Sequence, residues 1–206
     1  MRISKAEAAA NRSRVLEVAT RLFREKGIEG VGLADLMSEA GLTHGGFYNH
    51  FQSKEELAAE ACKLAFDAAV ARLHDSAAPA KTKGPAKEKS LNEVFEGYVR
   101  RYLSLEIRDA PGKSCPMAAL GMDAARHGPP VKAVFADGVK RYLEAFQNVV
   151  PSDLRKATDP QKRVQTIVTL STLIGALTLA RAVSGVDEKL SKEILAAARA
   201  RLLDDA

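Results

Sequence analysis

Val15, Leu16, Ala19, Leu22 and Phe23 recur at the spacing of one helix face, while Arg14, Glu17, Arg21, Arg24 and Glu25 fall mostly on the other side. Ser4 and Glu7 have capping-box spacing, so this helix starts there or, alternatively, at Asn11. Gly27, after Lys26, is its stop. A second short helix is predicted over residues 33–40, with Leu36 and Met37 inward and Gly41 as a turn residue that can take positive φ. A third short helix follows, with Thr43 as its N-cap and Phe47 and Phe51 one turn apart on its inner side. Ser53 then opens a capping box ahead of a long amphipathic helix reaching about residue 75.

The pattern lapses over residues 76–90. SAAPAKTKGPAKEKS is rich in Ala, Pro and Lys, has little to bury, and is expected to be an exposed, mobile connection. Helices are predicted again over residues 91–108 and 117–126, from Pro129-Pro130 to about residue 150, from Asp159-Pro160 to about residue 184, and over residues 187–203. DAPGKSCP interrupts the first two of these. No internal repeat is visible, and the fold class is all-α. The stretch VQTIVTLSTLIGALTLARAV resembles a membrane span in length, but Gln165, Thr166, Thr169, Ser171, Thr172, Thr178 and Arg181 interrupt it. A helix buried on most sides, in a core or between subunits, is the better reading.

Composition narrows the function. The 206 residues are 46% hydrophobic and 28% charged, as in soluble globular chains, and the net charge of +5 suits a polyanionic partner or simply a solvated basic surface. Cys62 and Cys115 form no C-x-x-C pair, which argues against a disulfide framework or a thiolate zinc site. MRISKAEAAANRSR has no apolar signal-peptide core, so a cytoplasmic protein is expected. No serine-nucleophile motif, H-E-x-x-H, phosphate-binding glycine loop or paired carboxylate setting is present, and His44, His50, His74 and His127 lack metal-ligand spacing. No enzyme activity, cofactor or metal is expected.

The third short helix carries the chemistry. At about 100° per residue, Phe47 and Phe51 define its inner side, and Gly45, Gly46 and Asn49 the opposite one. His44 and Tyr48 lie on one flank and His50 on the other. Each glycine inside a helix costs about 1 kcal/mol relative to alanine. The return on that cost is close approach of the backbone to a nucleic-acid groove. Two short helices joined at Gly41 after a longer first one describe a helix-turn-helix over about residues 32–51.

Residues 15–57, and above all Leu22, Phe23 and Gly27, the AGLT of residues 40–43, the FYNHF of residues 47–51 and the SKEEL of residues 53–57, resemble the tetracycline-repressor (TetR/AcrR) family of transcriptional regulators. The resemblance implies a DNA-binding domain over residues 1–54 and an effector-binding and dimerisation domain over residues 55–206. It implies that Thr43, Tyr48, His50 and Lys54 contact phosphates of double-stranded DNA, and that His44, Gly45, Gly46 and Asn49 lie against base edges. The position before the second helix, often Thr or Ser in the family, is Gly32 here, which removes a hydroxyl from the phosphate contact.

For the larger domain, the resemblance implies a homodimer built on the last two helices, with Ile167, Ile174 and Leu177 in the interface. It also implies a small effector, apolar or amphipathic because no charged groups clearly converge, touching Phe66, Phe95, Tyr98, Tyr102, Cys115, Met122 or Phe135. The activity it implies is repression from a palindromic operator, relieved by the effector. Cys115 in GKSCPM, beside Lys113 and near a helix start, carries an alternative in which an electrophile or oxidant is sensed.

Overall fold

A computed structural model of the protein describes residues 4–77, 91–150 and 158–204. The connection expected over residues 76–90 lies almost wholly outside them. The described residues form nine α-helices and two 3₁₀ segments and contain no strand. Helix α1 (Lys5–Lys26) takes the earlier of its two possible starts. The Glu7 N–H donates to Ser4 Oγ at 3.1 Å and the Ser4 N–H to Glu7 Oε2 at 2.9 Å. The bond from the Ser4 backbone holds the Glu7 carboxyl below its ordinary pKa. Gly27 ends the helix at φ 75°, where a side chain would be strained.

Helix α2 (Leu33–Glu39), a 3₁₀ segment (His44–Asn49) and α3 (Lys54–Ala77) follow. Next come α4 (Leu91–Tyr102), α5 (Leu105–Asp109), a 3₁₀ turn (Pro111–Lys113), α6 (Pro116–Arg126) and α7 (Pro129–Phe146). Helices α8 (Asp159–Val183) and α9 (Glu188–Asp204) complete the chain.

Two of the later helices depart from the sequence pattern. The single helix expected over residues 91–108 is two, because the Ser104 hydroxyl accepts the Ile107 N–H at 3.2 Å and starts α5 afresh. Helix α7 stops at Phe146 rather than near residue 150. Beyond it the Asn148 and Val149 N–H groups turn to carbonyls three residues back, tightening the last turn.

The chain divides into two compact units: Met1–Asp67 with Pro111–Val139, and Ala68–Ala110 with Lys140–Ala206. This packing is not a single cut after residue 54. In the first unit Leu57, Ala58, Ala61 and Cys62 of α3 bury the same core as Val15, Phe23, Leu36, Phe47 and Phe51, and Leu120, Ala124 and Val131 of α6 and α7 complete it. A cut at residue 54 would leave that face of α3 bare.

The second unit buries Phe95, Val99, Tyr142, Phe146, Leu173, Leu177 and Leu195. Arg108 is its polar anchor. The guanidinium donates to both Glu188 oxygens at 2.8 and 2.9 Å, to Ser191 Oγ at 2.8 Å and to Asp109 at 2.7 and 3.2 Å. Arg181 of α8 in turn donates to the carbonyls of Ile107 and Arg108, so α5 is tied to α8 and α9 by satisfied bonds.

Candidate nucleic-acid interface

Helix α2 and the His44–Asn49 segment are joined through Gly41, whose φ of 70° makes the turn. Leu36, Met37, Phe47 and Phe51 are fully or almost fully buried and hold the pair on α1 and α3. The Phe47 and Phe51 rings stack at 5.7 Å. The expected short α-helix is instead a 3₁₀ helix that ends before Phe51. The Phe47 carbonyl takes both the His50 N–H at 2.9 Å and the Phe51 N–H at 3.1 Å, so one turn tightens and the next is never built. Two adjacent glycines supply little propensity to carry it further. Thr43, expected to cap this helix, makes no side-chain capping bond; its hydroxyl stays outside the helix ladder.

The outer surface carries Thr43, His44, Gly45, Tyr48 and Asn49 exposed, with Gly46 and His50 half-buried. Tyr48 is 65% exposed although its ring edge rests on Phe47 at 5.2 Å. Neither glycine is demanded by the fold. Both have ordinary negative φ. A Cβ on Gly45 would meet nothing within 4 Å, and one on Gly46 would make only ordinary contacts of 3.7 Å with Met37 Cε and Thr43 Oγ1. Their missing side chains therefore leave space outside the molecule, not inside it.

Lys54 opens α3, with its ammonium 3.5 Å from Glu29 Oε2. The same Glu29 lies 3.4 Å from His127 Nε2. Glu55 faces His127 Nδ1 at 3.3 Å and accepts the Gly128 N–H at 3.0 Å. Asp123 accepts the Ile28 N–H at 2.9 Å, and Arg24 donates to the Ser114 carbonyl at 3.2 Å. Residues 111–128 thus grip the helix-turn-helix at several points. No sequence signal announced this, because the partners lie 72 to 98 residues apart. Arg12 is a further contact that periodicity did not single out; its Nε donates to the His50 carbonyl at 3.3 Å.

The residues suggested for an effector do not gather within one unit. Phe66, Cys115, Met122 and Phe135 belong to the first, and Phe95, Tyr98 and Tyr102 to the second. Phe66 is fully buried, meets Phe135 edge-on at 5.2 Å, and packs so closely on Gly138 that a Cβ there would clash with its ring. Met122 is 62% exposed. In the second unit the Tyr98 ring lies 5.0 Å from Phe146, and its hydroxyl is 2.6 Å from that of Tyr142. Cys115 is buried at the N-cap of α6. Burial, with Asp123 adding repulsion, pushes the Cys62 thiol up to about 12, as suits a core cysteine.

On α8, Ile167 is exposed and Ile174 half-buried, but Leu177 is fully buried inside its own unit and cannot meet a partner. It points inward with Leu170, Leu173 and Ala180, whereas Val164, Val168 and Leu179 point out with Ile167. Residues 160–183 are long and apolar enough to cross a membrane by length and composition, yet the inward row packs on α9 as a core helix does. Among the described residues, no group of three or more His, Cys, Asp or Glu is placed to hold a metal.

Residues 15–61 match the family model of bacterial regulatory proteins, tetR family. The HTH-type transcriptional regulator AcrR of Shigella flexneri is 38% identical over 63 residues, 31% of this chain and 29% of that protein. The HTH-type transcriptional repressor KstR2 of Mycobacterium tuberculosis is 35% identical over 66 residues, 32% of this chain and 33% of that one. The matches thus span about three-tenths of these relatives. Solved structures agree over nearly the whole length. Reduced Escherichia coli NemR superposes with a TM-score of 0.72 at 18% identity, covering 94% of this chain and 95% of the other. A TetR transcriptional regulator from Chloroflexus aurantiacus gives 0.73 at 21%, covering 97% and 95%. At these identities the likeness is one of fold.

Proposed function

We propose that the chain, which matches the tetR family of bacterial regulators over residues 15–61, is a dimeric transcriptional repressor, acting in the cytoplasm, that binds a palindromic operator and is released by a small apolar or amphipathic molecule. The observation that carries the reading is the glycine pair: two side chains omitted from an exposed, buttressed segment where the fold does not require their omission. Tyr48, Thr43, His50 and Lys54 sit around it to meet phosphates, while Asn49 and His44 reach base edges. The outward apolar row of α8 supports pairing with a second copy, which sets two recognition segments at half-sites about 34 Å apart or more. The effector acts by preferring the conformation whose segments are wrongly spaced, and residues 111–128, which touch the helix-turn-helix directly, are the route by which that preference is felt.

Selection of bound sequences from random duplex DNA by the purified protein tests this. The expected product is one palindrome. A single unrepeated half-site would remove the dimer, and no preferred sequence at all would remove the reading role.

A second reading keeps the same DNA site and makes Cys115 the sensor of an oxidant or electrophile. Its place at the α6 N-cap supports it. Cys115→Ser abolishing derepression by such reagents, with operator affinity unchanged, would favour it.

A further inference from the structure

We infer that Arg12 is a positioning residue for the base-reading segment: one guanidinium clamps the end of His44–Asn49 to α1 and α3 and fixes where Asn49 and the glycines face DNA. The inference rests on the reading that residues 43–50 contact DNA.

The segment cannot hold itself in place. It has six residues, two of them glycine, it is 3₁₀ rather than α-helical, and its N-cap makes no side-chain bond. Its first half hangs from the turn at Gly41 and from Phe47. Its second half ends at His50, where the carbonyl has no helical partner. Arg12 takes up that carbonyl through Nε at 3.3 Å. Nη2 of the same group bonds Glu60 Oε1 on α3 at 2.6 Å. The flat face lies 4.5 Å from the centroid of the Phe51 ring, which is buried. Two N–H groups and the flat face are thus used at once, on the end of the 3₁₀ segment and on α3. A planar fork does this with its donors held in one fixed geometry; an ammonium has no flat face to lay on the ring and must reach both acceptors from a single point. Asn49 is the next residue to the held carbonyl, so slack there is slack in base reading. The charge itself is already matched by Glu60, which points away from a simple phosphate-binding role.

Arg12→Lys keeps the cation and loses the fork. In the free, full-length protein, amide exchange over residues 44–51 should accelerate about tenfold while the thermal midpoint moves by no more than a few degrees. Affinity for the selected operator should fall about tenfold, with random-sequence affinity and its salt slope unchanged. Glu60→Gln, which keeps an acceptor for Nη2 but removes its charge, should do the same to a smaller extent. Unaltered exchange in Arg12→Lys would overturn the proposal whatever the DNA result, and so would faster exchange with full operator affinity. Arg12→Gln weakening operator and random DNA alike, with a shallower salt slope, would overturn it by making Arg12 a phosphate contact. Faster exchange in a protein whose wild type prefers no sequence would retain the clamp and discard the DNA reading it serves.

Discussion

The six residues from His44 to Asn49 and the twenty-five of α8 are both helical, and they depart from an ordinary surface helix in opposite directions. The first has too little: two glycines, no side-chain capping bond, and support borrowed from Phe47, Phe51 and Arg12. The second has too much. Its start is fixed by Gln161 Oε1 accepting the Thr158 N–H at 3.1 Å, its inner row of Leu170, Leu173, Leu177 and Ala180 is buried, and it still carries Val164, Ile167, Val168 and Leu179 outward. A helix that serves only its own chain buries one stripe and solvates the rest, as α1 does. A stripped surface suits a rigid polyanion that must come close; a surplus apolar surface suits a second apolar face. On the proposed function, both deviations serve a partner outside the chain.

That contrast can be broken at either end, and the larger effect lies on α8. Val168→Asp places a charge at a position 51% exposed in the single chain, so folding should survive. Paired with a second copy, the same charge is buried against apolar surface. Sedimentation should show the dimer replaced by monomer, and operator affinity should fall about a hundredfold or more as two linked half-site contacts become one. A dimer that persists with full affinity would mean that the outward row of α8 is not the partner face. At the other end, Gly45→Ala with Gly46→Ala adds two methyl groups that the fold can accept. Stability should hold or rise, since each change removes up to about 1 kcal/mol of glycine penalty. Operator affinity should nonetheless fall about tenfold through lost close contacts. Tight binding by the alanine pair would take away the reason offered for the bare surface.

What could be read in the sequence follows from how local each cause is. Caps and turns are local: the Ser4–Glu7 box, Gly27, Gly41 and the helix starts at Ser53 and Asp159 stand close to where periodicity placed them. Which residues of the short helix face outward was legible because the inner residues Phe47 and Phe51 fix its buried side. Its 3₁₀ geometry was not, since six residues, under two α-helical turns, give a 3.6 period little room to differ from a period of 3. Leu177 was misplaced for a related reason. On a helix apolar all round, sequence cannot separate the row facing its own unit from the row facing outward. The grip of residues 111–128 on the helix-turn-helix rests on single carboxylates and carbonyls, Asp123, Glu55 and Ser114, that pair with backbone groups or with an arginine far along the chain. Such bonds leave no periodic trace.

The smallest expected effect tests the phosphate half of the interface. Lys54 is 26% exposed and lies 3.5 Å from a Glu29 that is 79% exposed. A pair so open to water is worth about 0–1 kcal/mol. A DNA phosphate can therefore draw Lys54 away at little cost, and the helix N-terminus behind it favours the same anion. Tyr48 offers one hydroxyl, itself largely exposed, to a neighbouring phosphate. Lys54→Ala should weaken operator and random duplex equally, by about threefold to tenfold, and reduce the slope of log affinity against log salt by about one. Tyr48→Ala should weaken both without changing the slope, because no charge is lost. Neither should alter which sequence is preferred. If Lys54→Ala shifted the preferred sequence and left the salt slope intact, the division of this surface into phosphate-holding flanks and a bare base-facing centre would be wrong.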